Sequence, residues 1–159
     1  MTDSLHHEVE LVVAIGKSLH NANKGDLEKS IYGYACGLDM TRRDLQNVAK
    51  KQGKPWDMAK DFDGSAIIGS ITESEQVPAI QSANLKLFLN DQLQQIGKIS
   101  DMIYSVDEIL LDLSKYTKLV PGDLIMTGTP AGVSPVKVGD RLIVQIEGLK
   151  DLTLKVLEK

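Results

Sequence analysis

The segment His6-His7-Glu8-Val9-Glu10-Leu11-Val12-Val13-Ala14-Ile15-Gly16 constrains this chain more than any other. Its β-branched residues and closing glycine predict a strand over residues 8–16. Alternate residues of a strand share a face. Glu8, Glu10, Val12 and Ala14 then line one side, and Val9, Leu11, Val13 and Ile15 line the other. Both faces are apolar beyond the two acids. Carboxylates heading such a strand are costly to desolvate unless a cation compensates them. A solvated strand end would carry the same Glu-x-Glu spacing without that cost, so the spacing alone leaves both readings open. On the same alternation His7 faces away from the two acids, and His6 shares their side.

The rest of the chain reads as a mainly β, α+β fold in one domain, residues 1–159. A helical stripe through Leu27, Ile31 and Tyr34 predicts a helix over 26–34. Residues 35–40 read as a short buried strand. Thr41, with Asp44 three residues on, resembles a capping box that opens a second helix, stopped by Gly53-Lys54-Pro55. Residues 56–65 have no clear period and read as an ordered loop, and 66–72 read as a strand. Two β-rich stretches, 85–90 and 93–96, predict a hairpin turning at Asp91-Gln92. Ser105-Val106-Asp107-Glu108 is a second capping box, opening a helix to about Tyr116. Pro121-Gly122-Asp123 is a turn. It leads to a strand over 124–127, a Gly- and Pro-rich loop over 128–139, and two alternating strands over 140–147 and 152–157. Two or three short helices are expected in all.

Several function classes recede on composition. The 159 residues carry a formal net charge of −4, and the basic residues are scattered. A nucleic-acid surface needs dense positive charge, so no nucleic-acid partner is expected; Lys50-Lys51 reads as a solvated helix face. The one cysteine, Cys36, allows no internal disulfide and reads as a small buried hydrophobe. The start lacks a basic, apolar leader, and no apolar run nears the ~20 residues of a membrane helix. A cytoplasmic protein with no membrane partner is the expectation.

Other residues invite chemistry. Asp39 lies in the apolar stretch Ala35-Cys36-Gly37-Leu38-Asp39-Met40, where it either caps a turn or binds something charged. Grouped with Glu8 and Glu10 it would complete an all-oxygen site suited to a hard cation, Mg²⁺ or Mn²⁺. Zinc is disfavoured because no His/Cys cluster has ligand spacing. Lys60 sits in the irregular 56–64 stretch, either as a surface lysine or as a residue presented by a functional loop. Thr127-Gly128-Thr129-Pro130 is either an ordinary turn or one that offers N–H groups and a hydroxyl to a carboxylate. His20 reads as a surface residue.

Taken in order, the fragments HHEVELVVAIG (6–16), YACGLDMTRRDLQ (34–46), GKPWDMAKDFDGS (53–65), SDMIYSV (100–106) and PGDLIMTGTPAGV (121–133) resemble the fumarylacetoacetate hydrolase family. The likeness is strongest to its small acylpyruvase and oxaloacetate decarboxylase branch. The resemblance implies a mainly β roll or sandwich, usually a homodimer, that uses Mg²⁺ or Mn²⁺. It implies Glu8, Glu10 and Asp39 as metal ligands. It further implies that Arg43, Gln46, Lys60 and Thr129 contact the carboxylate and keto oxygens of a small 2-keto acid. The implied reaction is C–C bond cleavage through a pyruvate enolate, either acylpyruvate hydrolysis or oxaloacetate decarboxylation. Alternatives are a hydratase, isomerase or decarboxylase of dienoic keto acids from aromatic breakdown, or a catalytically silent metal-binding or dimerisation module. Two departures stand out. Ser134 replaces the last glycine of the family's GVG turn. The family's N-terminal His and Glu, carried on a lid that activates water, have no counterpart before Glu8, so poor hydrolysis with retained decarboxylation is expected.

Overall fold

The computed structural model describes residues 2–27 and 29–158. Glu28, inside the helix expected over 26–34, and the two end residues of the 1–159 domain lie outside that description. In chain order the elements are β1 (Leu5–His6), β2 (Val9–Ile15), α1 (Lys24–Leu27), β3 (Ile31–Asp39), β4 (Thr41–Arg42), α2 (Arg43–Lys51), α3 (Asp57–Lys60), β5 (Ala66–Ile68), β6 (Thr72–Glu73), β7 (Asn84–Leu89), β8 (Gln92–Lys98), α4 (Val106–Tyr116), β9 (Leu124–Met126), β10 (Arg141–Ile146) and β11 (Leu152–Lys155).

Two antiparallel sheets carry the fold. One has the order β5-β3-β2-β9, with β6 also paired to β3; the other has the order β11-β10-β7-β8. A two-stranded ribbon of β1 and β4 completes the set. Alternation decides what each sheet buries. Leu85 and Leu87 of β7, with Leu142, Val144 and Ile146 of β10, point inward as every second residue. They join Val9, Leu11, Val13 and Ile15 of β2 and Cys36 and Leu38 of β3 in one core, together with Val106 and Leu110 of α4. Each fully buried leucine of this set contributes about 1.5–3 kcal/mol relative to exposure. All seven residues of β2 are buried, as its apolar run predicts for a strand covered on both faces.

The expected α+β, mainly β class holds, with four α-helices among the described residues in place of two or three. Helix α4 is opened by the expected capping box: Glu108 N–H donates to Ser105 Oγ, and the Glu108 side chain reaches back to the Ser105 N–H.

Other local expectations are corrected. The helix over 26–34 shrinks to α1, and β3 already begins at Ile31. Seven residues of β3 pair with β2, from Val9↔Leu38 to Ile15↔Ile31, and this ladder overrides the weak helical stripe. Thr41 does not cap α2. It belongs to β4 and its hydroxyl donates to the Asp39 carbonyl, while the Asp44 carboxylate accepts from the Thr2 hydroxyl and the Asp3 N–H. The 56–65 stretch contains the single turn α3, and 66–72 splits into β5 and β6. The hairpin turns at Asn90-Asp91, one residue earlier than expected. Both have positive φ, 49° and 67°, as a type I′ turn requires.

Candidate metal centre

The β2–β3 ladder brings the three acids together. Asp39 N–H donates to the Glu8 carbonyl at 2.9 Å, one step beyond the Val9↔Leu38 pair. Residues directly opposite in an antiparallel pair share a face. Asp39 therefore sits beside Glu8, and Glu10 lies two residues along on the same side. Opposite Glu10 stands Gly37. A Cβ there would come within 2.4 Å of Val12 Cγ2, so packing demands the glycine. One carboxylate oxygen from each of Glu8, Glu10 and Asp39 lies within 4.8 Å of the others.

Charge around the three acids is unevenly compensated. Lys60, the last residue of α3, places Nζ 2.6 Å from both Glu8 Oε2 and Asp39 Oδ2. Arg43, the first residue of α2, donates from Nη2 to Glu8 Oε1 and from Nη1 to Gln46 Oε1. Gln46 is one helical turn on, on the same face. Burial pushes the Glu8 carboxyl up, but the Lys60 and Arg43 hydrogen bonds and charges outweigh it and hold it below the ordinary carboxylate value. Burial pulls the Lys60 ammonium down, and its bonds to Asp39 and Glu8 more than reverse that.

Glu10 is different. It is 4% exposed, and among the described residues its Oε2 accepts only the Gly128 N–H, at 2.7 Å. Burial, reinforced by Asp39 and Glu8, pushes its carboxyl up to about 7 against the help of Gly128 and Lys60. The protein thus places an ammonium between two of the three acids and leaves the third without a cation in contact among the described residues. An all-oxygen donor set with one uncompensated buried carboxylate fits a hard divalent cation. Glu8, Glu10 and Asp39 are the residues that would hold it.

Gly128 reaches Glu10 because β9 pairs with β2 at Val12↔Met126 and the register carries on. Thr127 Oγ donates to the Leu11 carbonyl at 2.8 Å, and Gly128 follows with φ 99°. That conformation suits glycine. Thr129 comes next. It makes no bond to the acids; its Oγ accepts from Gln95 Nε2 at 2.8 Å. An apolar cavity of about 440 Å³ opens against the same Thr127–Pro130 turn, lined among others by Leu85, Ile96, Ile99, Ile103 and Tyr104.

The fold brings Glu8, Glu10, Asp39, Lys60, Arg43 and Gln46 together, and Thr129 is linked through the Gly128 turn. His7 faces away from the acids, fully buried. Burial pulls its imidazolium form below the usual histidine value. Cys36 is a buried thiol, pushed by burial up to about 11. His20 is an exposed residue bonded to Asn21. Gln95 has no signal in the sequence, and Ser134 stands out there only as a departure in the GVG turn; the two bracket His7. The Gln92-Leu93-Gln94-Gln95 run of β8 offers no local signal that its last member is fully buried.

Comparison with known proteins agrees with this picture. The family model for the fumarylacetoacetate (FAA) hydrolase C-terminal domain matches residues 1–157. A fumarylpyruvate hydrolase of Ralstonia sp is 44% identical over 155 residues, covering 98% of this chain and 80% of that protein. The human mitochondrial oxaloacetate tautomerase FAHD1 is 41% identical, covering 98% of this chain and 70% of that one. The crystal structure of fumarylpyruvate hydrolase from Pseudomonas aeruginosa in complex with Mn²⁺ and pyruvate superposes with a TM-score of 0.96 at 41% identity. It covers all of this chain and 68% of its own.

Proposed function

The chain belongs to the fumarylacetoacetate hydrolase family, and from that premise we propose that it is a Mg²⁺- or Mn²⁺-dependent enzyme acting on a small 2-keto acid. The reaction we assign is C–C bond cleavage of an acylpyruvate or of oxaloacetate by way of a pyruvate enolate. The observation that carries this reading is the convergence of Glu8, Glu10 and Asp39 within 4.8 Å beside two cationic side chains. The Mn²⁺ and pyruvate bound by the Pseudomonas relative support it, as do the keto-acid names of the Ralstonia and human proteins.

When bound, the divalent cation supplies a Lewis acid that draws electron density onto the keto oxygen. The chain's own residues do the rest. Arg43, steadied by Gln46, meets the substrate carboxylate with its guanidinium; its buried Nε has no acceptor among the described residues. Lys60 keeps a positive charge beside the growing oxyanion, where low dielectric strengthens it. Thr129 offers a hydroxyl to a substrate oxygen. A homodimer belongs to the same reading, supported by the exposed apolar Leu93, Ile96, Ile103 and Tyr104.

The test is an assay of acetylpyruvate, fumarylpyruvate and oxaloacetate, each with Mn²⁺ and with chelator, beside calorimetry of pyruvate with Mn²⁺ present. Metal-dependent turnover of at least one substrate is expected. No turnover of any of them, with no pyruvate binding, would remove the enzymatic reading.

A further inference from the structure

We propose that Gln95 is a positioning residue that fixes the Thr129 hydroxyl as a hydrogen-bond donor to an oxygen of the anionic ligand; this rests on the function proposed above. Gln95 is fully buried, and two backbone groups define how its amide points. Val9 N–H donates to Oε1 at 3.1 Å, and the Pro130 carbonyl accepts from Nε2 at 2.9 Å. A backbone N–H can only donate and a carbonyl can only accept. Turning the amide over would set donor against donor and acceptor against acceptor. Its orientation is therefore imposed by the fold.

Two consequences follow from that orientation. His7 Nδ1, 2.8 Å from Gln95 Oε1, must carry a proton. In the neutral ring Nε2 is then the acceptor, and it faces Ser134 Oγ at 2.7 Å. Ser134 supplies the donor this tautomer needs. On the other side, the second hydrogen of Gln95 Nε2 goes to Thr129 Oγ. Thr129 Oγ thus spends an acceptor site inward, and its own proton is left over. Among the described residues nothing accepts that proton. It sits one residue from Gly128, whose N–H holds Glu10. A hydroxyl committed to donating fits a carboxylate or keto oxygen, which offers lone pairs and no proton.

The chain of donors runs from Val9 N–H and His7 through Gln95 to Thr129, so two measurements test it independently. The first needs neither metal nor ligand: long-range ¹H–¹⁵N spectra of the intact chain at pH 8, with His7 assigned by comparison with His7→Asn. A neutral ring protonated on Nδ1 is expected; a ring protonated only on Nε2 overturns the proposal.

The second is calorimetry with pyruvate at saturating Mn²⁺ on Gln95→Met, Thr129→Val, Thr129→Ser and the Gln95→Met/Thr129→Val pair, each checked for folding by thermal unfolding. Gln95→Met and Thr129→Val are each expected to weaken pyruvate about tenfold or more, the loss of a hydrogen bond to a charged group. Mn²⁺ affinity stays near that of the unaltered chain, and Thr129→Ser binds pyruvate normally. In the pair, Gln95→Met adds no further loss, because it acts through Thr129. Full additivity, or unchanged pyruvate affinity in a folded Gln95→Met, overturns the proposal; if that variant does not fold, the His7 tautomer and the Thr129 variants decide it. An unaltered chain that binds Mn²⁺ but no pyruvate overturns the ligand assigned to Thr129, and with no turnover of any substrate it overturns the proposed function too; the His7 spectrum still judges the hydrogen-bond direction.

Discussion

Asp39 stands across the β2–β3 ladder from Glu8, its N–H bonded to the Glu8 carbonyl at 2.9 Å. That single register places two acids from different strands on one face, and Glu10 joins them by strand alternation alone.

Removing Glu10 removes a proposed metal ligand and nothing that Lys60 or Arg43 holds directly. Glu10→Ala is expected to abolish Mg²⁺ and Mn²⁺ binding in calorimetry while the fold persists. Unchanged metal affinity would take Glu10 out of the site.

Lys60 neutralises two acids when no metal is bound. Lys60→Met leaves Glu8 with Arg43 alone and Asp39 without its ammonium. The metal-free protein should lose about 1–2 kcal/mol, tempered because the Lys60 side chain is 25% exposed. Saturating Mn²⁺ should restore most of that in thermal unfolding. Turnover should fall by about a hundredfold or more, the scale of losing an oxyanion stabiliser. Equal destabilisation with and without Mn²⁺ would contradict this.

Glu10 also sets a pH dependence. Its carboxyl is raised in the fold from 4.5 to about 7, so the native state holds a proton that the unfolded chain releases. The contribution is complete below pH 4.5 and is lost as pH rises towards 7, a cost on the order of 3 kcal/mol to the metal-free protein. A divalent cation binds the ionised form and reverses the trend. The Mn²⁺-induced rise in Tm should therefore be larger at pH 8 than at pH 5. A Mn²⁺ shift that is flat across that range would refute the assignment.

Away from the site, Ser105→Ala should cost about 1 kcal/mol through loss of the α4 cap and leave Mn²⁺ affinity unaltered. A change in metal affinity would show that α4 and the acids are coupled.

The sequence made the site more legible than the secondary structure. Glu8 and Glu10 were readable because strand period places them together whatever the rest of the fold does. Asp39 and Lys60 stand out locally, one in an apolar stretch and one in an irregular loop, but no local rule says that β3 pairs beside β2; Arg43 and Gln46 are legible only through the ordered family motifs. The hidden parts are those that depend on partners distant in the chain. Residues 31–34 carry a helical stripe, yet their pairing with β2 decides their state. Thr41 has the chemistry of a cap, but the chain entering from Thr2 and Asp3 engages Asp44 instead. Gln95 is one glutamine of three in β8, and only the packing of the 128–134 loop over it makes it buried and directional.

The most direct test is anomalous diffraction from crystals of the chain grown with Mn²⁺. One strong peak is predicted, with oxygens of Glu8, Glu10 and Asp39 each about 2.1 Å from it, near the ideal for a small hard cation. A peak elsewhere, or no peak while Lys60 still bridges Glu8 and Asp39, would contradict the metal centre and the function built on it.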